Sequence, residues 1–103
     1  FEVAEQAVDE SRFNVLATTG HAPVVLLSTH FDCVPPFFPS RIEHGRIYGR
    51  GACDAKGVLA AQVGAVHRLV REGENRVGLL FVVGEERGSD GAKRANRDGR
   101  GCA

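Results

Sequence analysis

Three segments of the chain carry the apolar patterns that predict its main structural elements. Residues 24–29 (Val-Val-Leu-Leu-Ser-Thr) and 76–83 (Arg-Val-Gly-Leu-Leu-Phe-Val-Val) are apolar, β-branched-rich runs, typical of strands buried on both faces. From Val58 to Arg71, apolar residues recur at spacings of three and four, which predicts an amphipathic helix. A strand, a helix and a second strand form a βαβ unit, whose strands are parallel. The predicted fold class is therefore α/β, with a mixed, partly parallel sheet flanked by helices.

Shorter elements are predicted in the rest of the chain. Phe13 to Ala17 is expected to form a short strand, Arg41 to Tyr48 a hairpin, and the residues from about Ala92 a short helix. Three prolines between Asp32 and Ser40 indicate a fixed loop. The polar segment from Val3 to Arg12 is expected to be weakly helical or irregular.

Composition narrows the classes of function. Thirteen Lys and Arg residues balance thirteen Asp and Glu residues in a chain of 103, so the charge gives no reason to expect nucleic-acid binding. No apolar run approaches the roughly 20 residues of a membrane span. Three cysteines without a C-x-x-C pair form neither a disulfide framework nor a thiolate metal motif. We therefore expect reduced thiols and a cytoplasmic location.

Acidic side chains and one histidine lie where the predicted strands end. His30 and Asp32 follow the first strand, Glu85 and Glu86 follow the second, and Asp54 lies in the glycine-rich loop between them. Because the carboxyl ends of parallel strands meet at one sheet edge, we expect these side chains to converge. Carboxylates at a buried sheet edge are costly unless a cation pairs with them. Imidazole with carboxylates is typical of zinc or a similar divalent ion in a hydrolase.

The spacing of these residues suggests a separate chemical role for each of them. His30 and Asp32 point to one side of an extended segment, which suits a metal-binding histidine oriented by a carboxylate. Adjacent Glu85 and Glu86 point to opposite sides, so one can bind metal while the other acts as general base. Arg50 and Lys56 are candidate partners for the acids.

Other interpretations remain open at this point. A lone histidine is more often structural than metal-binding, two glutamates after a strand are usually solvated, and Asp54 suits a helix cap. Residues 49–54 (Gly-Arg-Gly-Ala-Cys-Asp) resemble a dinucleotide fingerprint but lack its third glycine. Ser28, His30 and Asp32 are not accompanied by the G-x-S-x-G turn of a serine hydrolase.

Three motifs in order resemble those of a known family. Residues 30–35 fit H-x-D-x-V-P, residues 45–57 fit G-R-[LI]-Y-G-R-G-x-x-D-x-K-G, and residues 85–92 fit E-E-x-G-S-x-G-A. The chain resembles the co-catalytic two-zinc metallopeptidase and amidohydrolase family of acetylornithine deacetylase, succinyl-diaminopimelate desuccinylase, aminoacylase and glutamate carboxypeptidase. The resemblance extends from about Val24 to Asn96.

The resemblance implies a role for each candidate residue. His30, Asp54 and Glu86 look like ligands of two divalent ions, with Asp54 bridging both. Glu85 is similar to the general base that deprotonates the attacking water, and Asp32 to the carboxylate that orients His30. The ions are expected to be zinc, with cobalt or manganese as alternatives. The family often has a cis peptide bond after the bridging aspartate, which here is the bond from Asp54 to Ala55.

The implied activity is hydrolysis of an amide bond in N-acyl amino acids, of the deacetylase or desuccinylase type. A metallo-dipeptidase or carboxypeptidase of the same family is the alternative, and a non-catalytic metal-binding relic is a further one. The expected partner is a small N-acyl amino acid or peptide, and the full-length protein is expected to form a homodimer through a domain absent here. No nucleic-acid or membrane partner is expected.

The resemblance also implies that the chain is incomplete. Residues 1–96 are expected to be the N-terminal part of a zinc-peptidase-like catalytic domain, and residues 97–103 a disordered or aberrant tail left by truncation or an altered reading frame. The family needs a further carboxylate ligand and a late histidine ligand, which are not found after Asn96. We therefore expect this chain to be inactive on its own.

Overall fold

The elements of the fold follow the predicted order, with additions at the N-terminus. The computed structural model describes residues 1–99. Its strands and helices are β1 (Glu2–Ala7), β2 (Phe13–Thr18), β3 (Val25–His30), β4 (Arg41–Glu43), β5 (Arg46–Tyr48), α1 (Val58–Arg71), β6 (Val77–Val82) and α2 (Asp90–Arg97). An irregular helical turn, Ala52–Gly57, precedes α1, and a 3₁₀ turn, Glu85–Arg87, precedes α2.

Four strands form one mixed sheet in the order β1-β2-β6-β3. β3 and β6 are parallel, and the pairs β1–β2 and β2–β6 are antiparallel. The parallel register runs from Val25 opposite Val77 to His30 opposite Val82. Helix α1 connects these two strands, so the predicted βαβ unit and the α/β fold class are confirmed.

Strand β6 is the centre of the core because both of its faces are covered. Val77 and Leu79 pack on one face with Val66 of α1, whose side chain is fully buried. Leu80 and Val82 pack on the opposite face with Ala95 of α2. The two helices thus lie on opposite faces of the sheet, as the alternation of side chains along a strand requires.

A buried polar network joins β2 to the start of α2. Asn14 is fully buried, and its amide nitrogen donates to Gln6 Oε1 and to the Gly91 carbonyl, both at 2.8 Å. Its amide oxygen accepts the Val83 N–H at 3.1 Å. Asn14 therefore fixes the main chain just beyond β6.

Two expectations about strands are wrong. The segment from Val3 to Arg12 contains β1 instead of a helical or irregular stretch. β1 is an edge strand held by its main-chain pairing with β2, and its single buried side chain is the polar Gln6, so it shows no apolar period. β3 is not buried on both faces, because it lies at the other edge of the four-stranded sheet and Val25 is half exposed.

The remaining elements confirm most of the sequence prediction. The hairpin forms as β4 and β5, and the proline loop has no regular structure. Helix α2 begins at Asp90, two residues earlier than expected, and includes Arg97, the first residue of the predicted tail. Residues 100–103 of that tail lie outside the described residues. Within residues 1–99, neither helix has the length and apolar character needed to cross a membrane.

Candidate metal centre

The parallel strands β3 and β6 bring the candidate residues to one edge of the sheet. His30 is the last residue of β3 and pairs with Val82 at the end of β6. The chain then turns at Gly84, with a φ of 77°, into the 3₁₀ turn that carries Glu85 and Glu86. Asp54 comes to the same edge from the irregular turn before α1.

His30 is the buried member of the group and has acidic partners at both ring nitrogens. Its Nε2 lies 2.8 Å from Asp54 Oδ1, and its Nδ1 lies 3.1 Å from the Asp32 carbonyl and 3.3 Å from Asp32 Oδ1. Burial lowers the pKa of His30, but the contacts with Asp54 and Asp32 outweigh burial, and the net pKa is raised. The imidazole is thus held between two carboxylates.

Asp32 has a second role that its spacing from His30 does not reveal. Its two carboxylate oxygens accept the main-chain N–H groups of Glu85, at 3.2 Å, and Glu86, at 3.3 Å. Burial raises the pKa of Asp32, but the hydrogen bonds from the two N–H groups lower the pKa by more than burial raises it. The net pKa is therefore below its usual range. Asp32 therefore contacts His30 and also anchors the turn that carries both glutamates.

The side chains that converge include a donor set suitable for a divalent ion. Within residues 1–99, ligand atoms of His30, Glu85 and Glu86 lie within 4.8 Å of one another. Asp54 is outside this set, and its contact is with His30. Imidazole and carboxylates suit zinc or a similar ion. The residues predicted to form the site are brought together, while their separate roles stay predictions. The peptide bond from Asp54 to Ala55 is cis, as expected.

The expected basic partners of the acids are not ion-paired with them. Lys56 Nζ contacts the Phe31 carbonyl at 3.3 Å and Cys33 Sγ at 3.1 Å. Arg50 Nε donates to the Pro36 carbonyl at 3.0 Å. Neither side chain forms a salt bridge with an acid in the described part of the chain, so the carboxylates of the site are left available for a cation.

Asn14 holds the main chain that leads into the site, and it was not identified from the sequence. It holds Val83, which lies two residues before Glu85. Asparagine is unfavourable within a strand, and its position in the mostly apolar β2 was the signal in the sequence that could have identified it.

The raised pKa of His30 predicts a pH dependence of ion binding. If His30 is a metal ligand, as the sequence predicts, a divalent ion must displace its proton, and below the raised pKa the apparent ion affinity is expected to fall about tenfold per pH unit. In the ion-free protein, protonated His30 stabilises the fold fully below the pKa of an unfolded histidine, and this stabilisation is lost as pH rises through the raised value. Titration with Zn²⁺ and thermal unfolding at several pH values measure both effects. An ion affinity independent of pH would contradict His30 as a ligand.

Comparison with known proteins gives one consistent group of relatives. The model of peptidase family M20/M25/M40 matches residues 26–100. The chain is 39% identical over 114 positions to a probable carboxypeptidase of Aspergillus clavatus, covering 95% of this chain and 28% of that protein. It is 50% identical over 93 positions to a probable carboxypeptidase of Aspergillus terreus, covering 82% of this chain and 22% of that protein.

Another fungus also has a similar protein. A peptidase M20 domain-containing protein of Schizosaccharomyces pombe is 52% identical over 65 positions, covering 60% of this chain and 16% of that protein. The chain spans about a quarter of the length of the first curated relatives it matches. No solved structure matches the chain.

Proposed function

The chain belongs to peptidase family M20/M25/M40, and on this premise we propose that it supplies part of the active site of a metal-dependent carboxypeptidase. The proposal is carried by the convergence of His30 with carboxylates at the carboxyl ends of β3 and β6. His30 Nε2 lies 2.8 Å from Asp54, and a ring nitrogen of His30 lies within 4.8 Å of ligand atoms of Glu85 and Glu86. Side chains from three separate segments of the chain thus lie close together, and this arrangement suits the binding of a metal ion and of a substrate next to it.

The donor set suits divalent ions, and we propose that His30, Asp54 and Glu86 hold two of them. Zinc is the first candidate, with cobalt and manganese as alternatives. When bound, such ions polarise the scissile carbonyl and make water more acidic. The resemblance implies two further ligands, a carboxylate and a histidine, and the relatives extend well beyond the length of this chain.

Glu85 is the proposed general base. Its side chain is half exposed, and its Oε2 lies 3.8 Å from His30 Nε2, so it borders the ion site while remaining open to solvent. Its carboxylate takes a proton from the attacking water as the water oxygen bonds to the carbonyl carbon. It then delivers that proton to the amine nitrogen as the C–N bond breaks. Asp32 positions this residue by accepting the Glu85 main-chain N–H.

The names of the relatives favour peptides over simple N-acyl amino acids as substrates. Similar curated proteins from several Aspergillus species are called probable carboxypeptidases. This supports the alternative reading of the sequence better than the deacetylase or desuccinylase reading. The proposed reaction is therefore release of the C-terminal residue of a short peptide.

A substrate panel tests the proposed function. The complete protein, loaded with Zn²⁺, Co²⁺ or Mn²⁺, is incubated with N-blocked dipeptides, unblocked dipeptides, N-acetyl amino acids and N-succinyl amino acids. We expect release of the C-terminal residue from the peptides, loss of activity with a chelator, and recovery when the ion returns. Hydrolysis restricted to the N-acyl amino acids would favour the deacylase reading. Ion binding with no hydrolysis of any amide would favour a non-catalytic relic.

A further inference from the structure

Arg50 faces the same cavity as two of the acids of the candidate metal centre. This cavity has a volume of about 220 Å³, and its lining includes Arg50, Asp54 and Glu86. The volume lies below the roughly 300 Å³ at which sites for drug-sized ligands begin, so the cavity suits a single residue of a peptide. The positively charged side chain of Arg50 thus lines the same cavity as the carboxylates of Asp54 and Glu86.

The Arg50 side chain is held by partners that do not neutralise its charge. Nε donates to the Pro36 carbonyl at 3.0 Å, and the guanidinium carbon lies 4.9 Å from the centroid of the Phe38 ring. Within residues 1–99, no acidic side chain forms a salt bridge with Arg50. The Pro36 bond and the Phe38 ring fix the position of the guanidinium and leave the hydrogen-bonding capacity of its two terminal nitrogens unused in the described part of the chain. A guanidinium of this kind is suited to binding a carboxylate through two parallel hydrogen bonds.

We propose that Arg50 binds the free α-carboxylate of the residue that the enzyme releases. This inference rests on the proposed carboxypeptidase function, and it adds the side chain that would recognise the C-terminal carboxylate of the substrate. In a peptide, the α-carbons on either side of the scissile bond are about 3.8 Å apart. A substrate whose carbonyl lies at Asp54 and Glu86 therefore has its terminal carboxylate within one residue of the same cavity. The carboxylates would hold the metal ions that polarise the carbonyl, and Arg50 would supply the positive charge that pairs with the terminal carboxylate.

The test compares each peptide acid with its amide in the complete, ion-loaded protein. The wild-type protein is expected to cleave an N-blocked dipeptide with a free carboxylate about 10- to 100-fold more efficiently, in kcat/KM, than the same dipeptide with a C-terminal amide. Arg50→Gln is expected to remove this preference, because it raises KM for the acid far more than for the amide. Arg50→Lys should restore only part of the preference, because an ammonium lacks the planar pair of donors.

Arg46→Gln is the matched control, since it removes one positive charge from the exposed strand β5, away from the cavity lining. Arg46→Gln should leave kcat/KM unchanged for both the dipeptide acid and the dipeptide amide. If Arg50→Gln keeps the preference for the acid, the role of Arg50 is wrong and the proposed function stands. If Arg50→Gln does not fold, the wild-type preference and the partial recovery in Arg50→Lys decide the question. A wild-type protein that cleaves the dipeptide acid and the dipeptide amide equally would overturn the inference, and one that hydrolyses neither dipeptide would overturn both proposals.

Discussion

Replacing Glu85 with glutamine is expected to lower kcat of the complete enzyme by about 10²- to 10⁴-fold, while its ion content stays near that of the wild type. Glutamine has the same shape but cannot accept the proton of the attacking water. The main-chain bond from residue 85 to Asp32 does not involve the side chain, so the turn should keep its position. Steady-state kinetics and metal analysis of the same preparation measure the two quantities.

The Glu86→Gln variant distinguishes the proposed role of Glu86 as a metal ligand from that of Glu85 as general base. If Glu86 is a metal ligand, this variant should lose bound ion and activity together. The assignment matters because the ligand atoms of Glu85 and Glu86 both lie within 4.8 Å of His30, so distance alone does not distinguish a ligand from a base. Loss of ion from Glu85→Gln, with ion retained in Glu86→Gln, would mean that the proposed roles must be exchanged.

Adding a methyl group at Gly91 is expected to destabilise the fold by about 3 kcal/mol or more. A Cβ atom there would overlap the Val83 carbonyl oxygen and the Asn14 amide oxygen, and would lie 2.6 Å from the Val83 nitrogen. None of these atoms can move freely, because Asn14 is fully buried and each displacement would leave a buried polar group without its partner. Small domains are stable by about 5–15 kcal/mol, so the loss would be a large fraction of the total.

Gly64→Ala is the control for the Gly91→Ala experiment. Gly64 is exposed inside helix α1, and a Cβ atom there has no neighbour within 4 Å. Alanine at this position should stabilise the protein by about 0.5–1 kcal/mol, because it lowers the entropy cost of forming a helix. Urea unfolding followed by circular dichroism compares the two variants with the wild type. Equal midpoints for Gly91→Ala and the wild type would show that the contact between α2 and β6 is looser than the structure indicates.

The strongest sequence predictions came from segments whose pattern reflects burial. β6 reads as an apolar run because helices cover both of its faces, and α1 has the same bounds in the sequence prediction and in the structure. β1 was missed for the opposite reason, because main-chain pairing with β2 holds it and it buries only the polar side chain of Gln6. Periodicity reveals what a segment buries and is silent about what it pairs with.

Convergence of the site residues followed from topology, but their contacts did not. Parallel strands place the residues after His30 and after Val82 at the same edge, which the βαβ pattern already implies. The bonds from Asp32 to the main chain of Glu85 and Glu86 join atoms more than fifty positions apart and involve no side-chain pattern. The expectation that Arg50 would neutralise the acids came from proximity in sequence, whereas its position is set by the Pro36 carbonyl and the Phe38 ring.

The pairing of His30 with Val82 also constrains how proteins with this fold can vary in length. A single inserted or deleted residue within β3 would turn His30 to the opposite face of the sheet, and one within β6 would shift the turn that carries Glu85 and Glu86. Either change would separate His30 from the glutamates. Extra residues in the hairpin between β4 and β5 would leave that register intact. Gaps between related sequences should therefore gather in the connecting segments and avoid the two parallel strands.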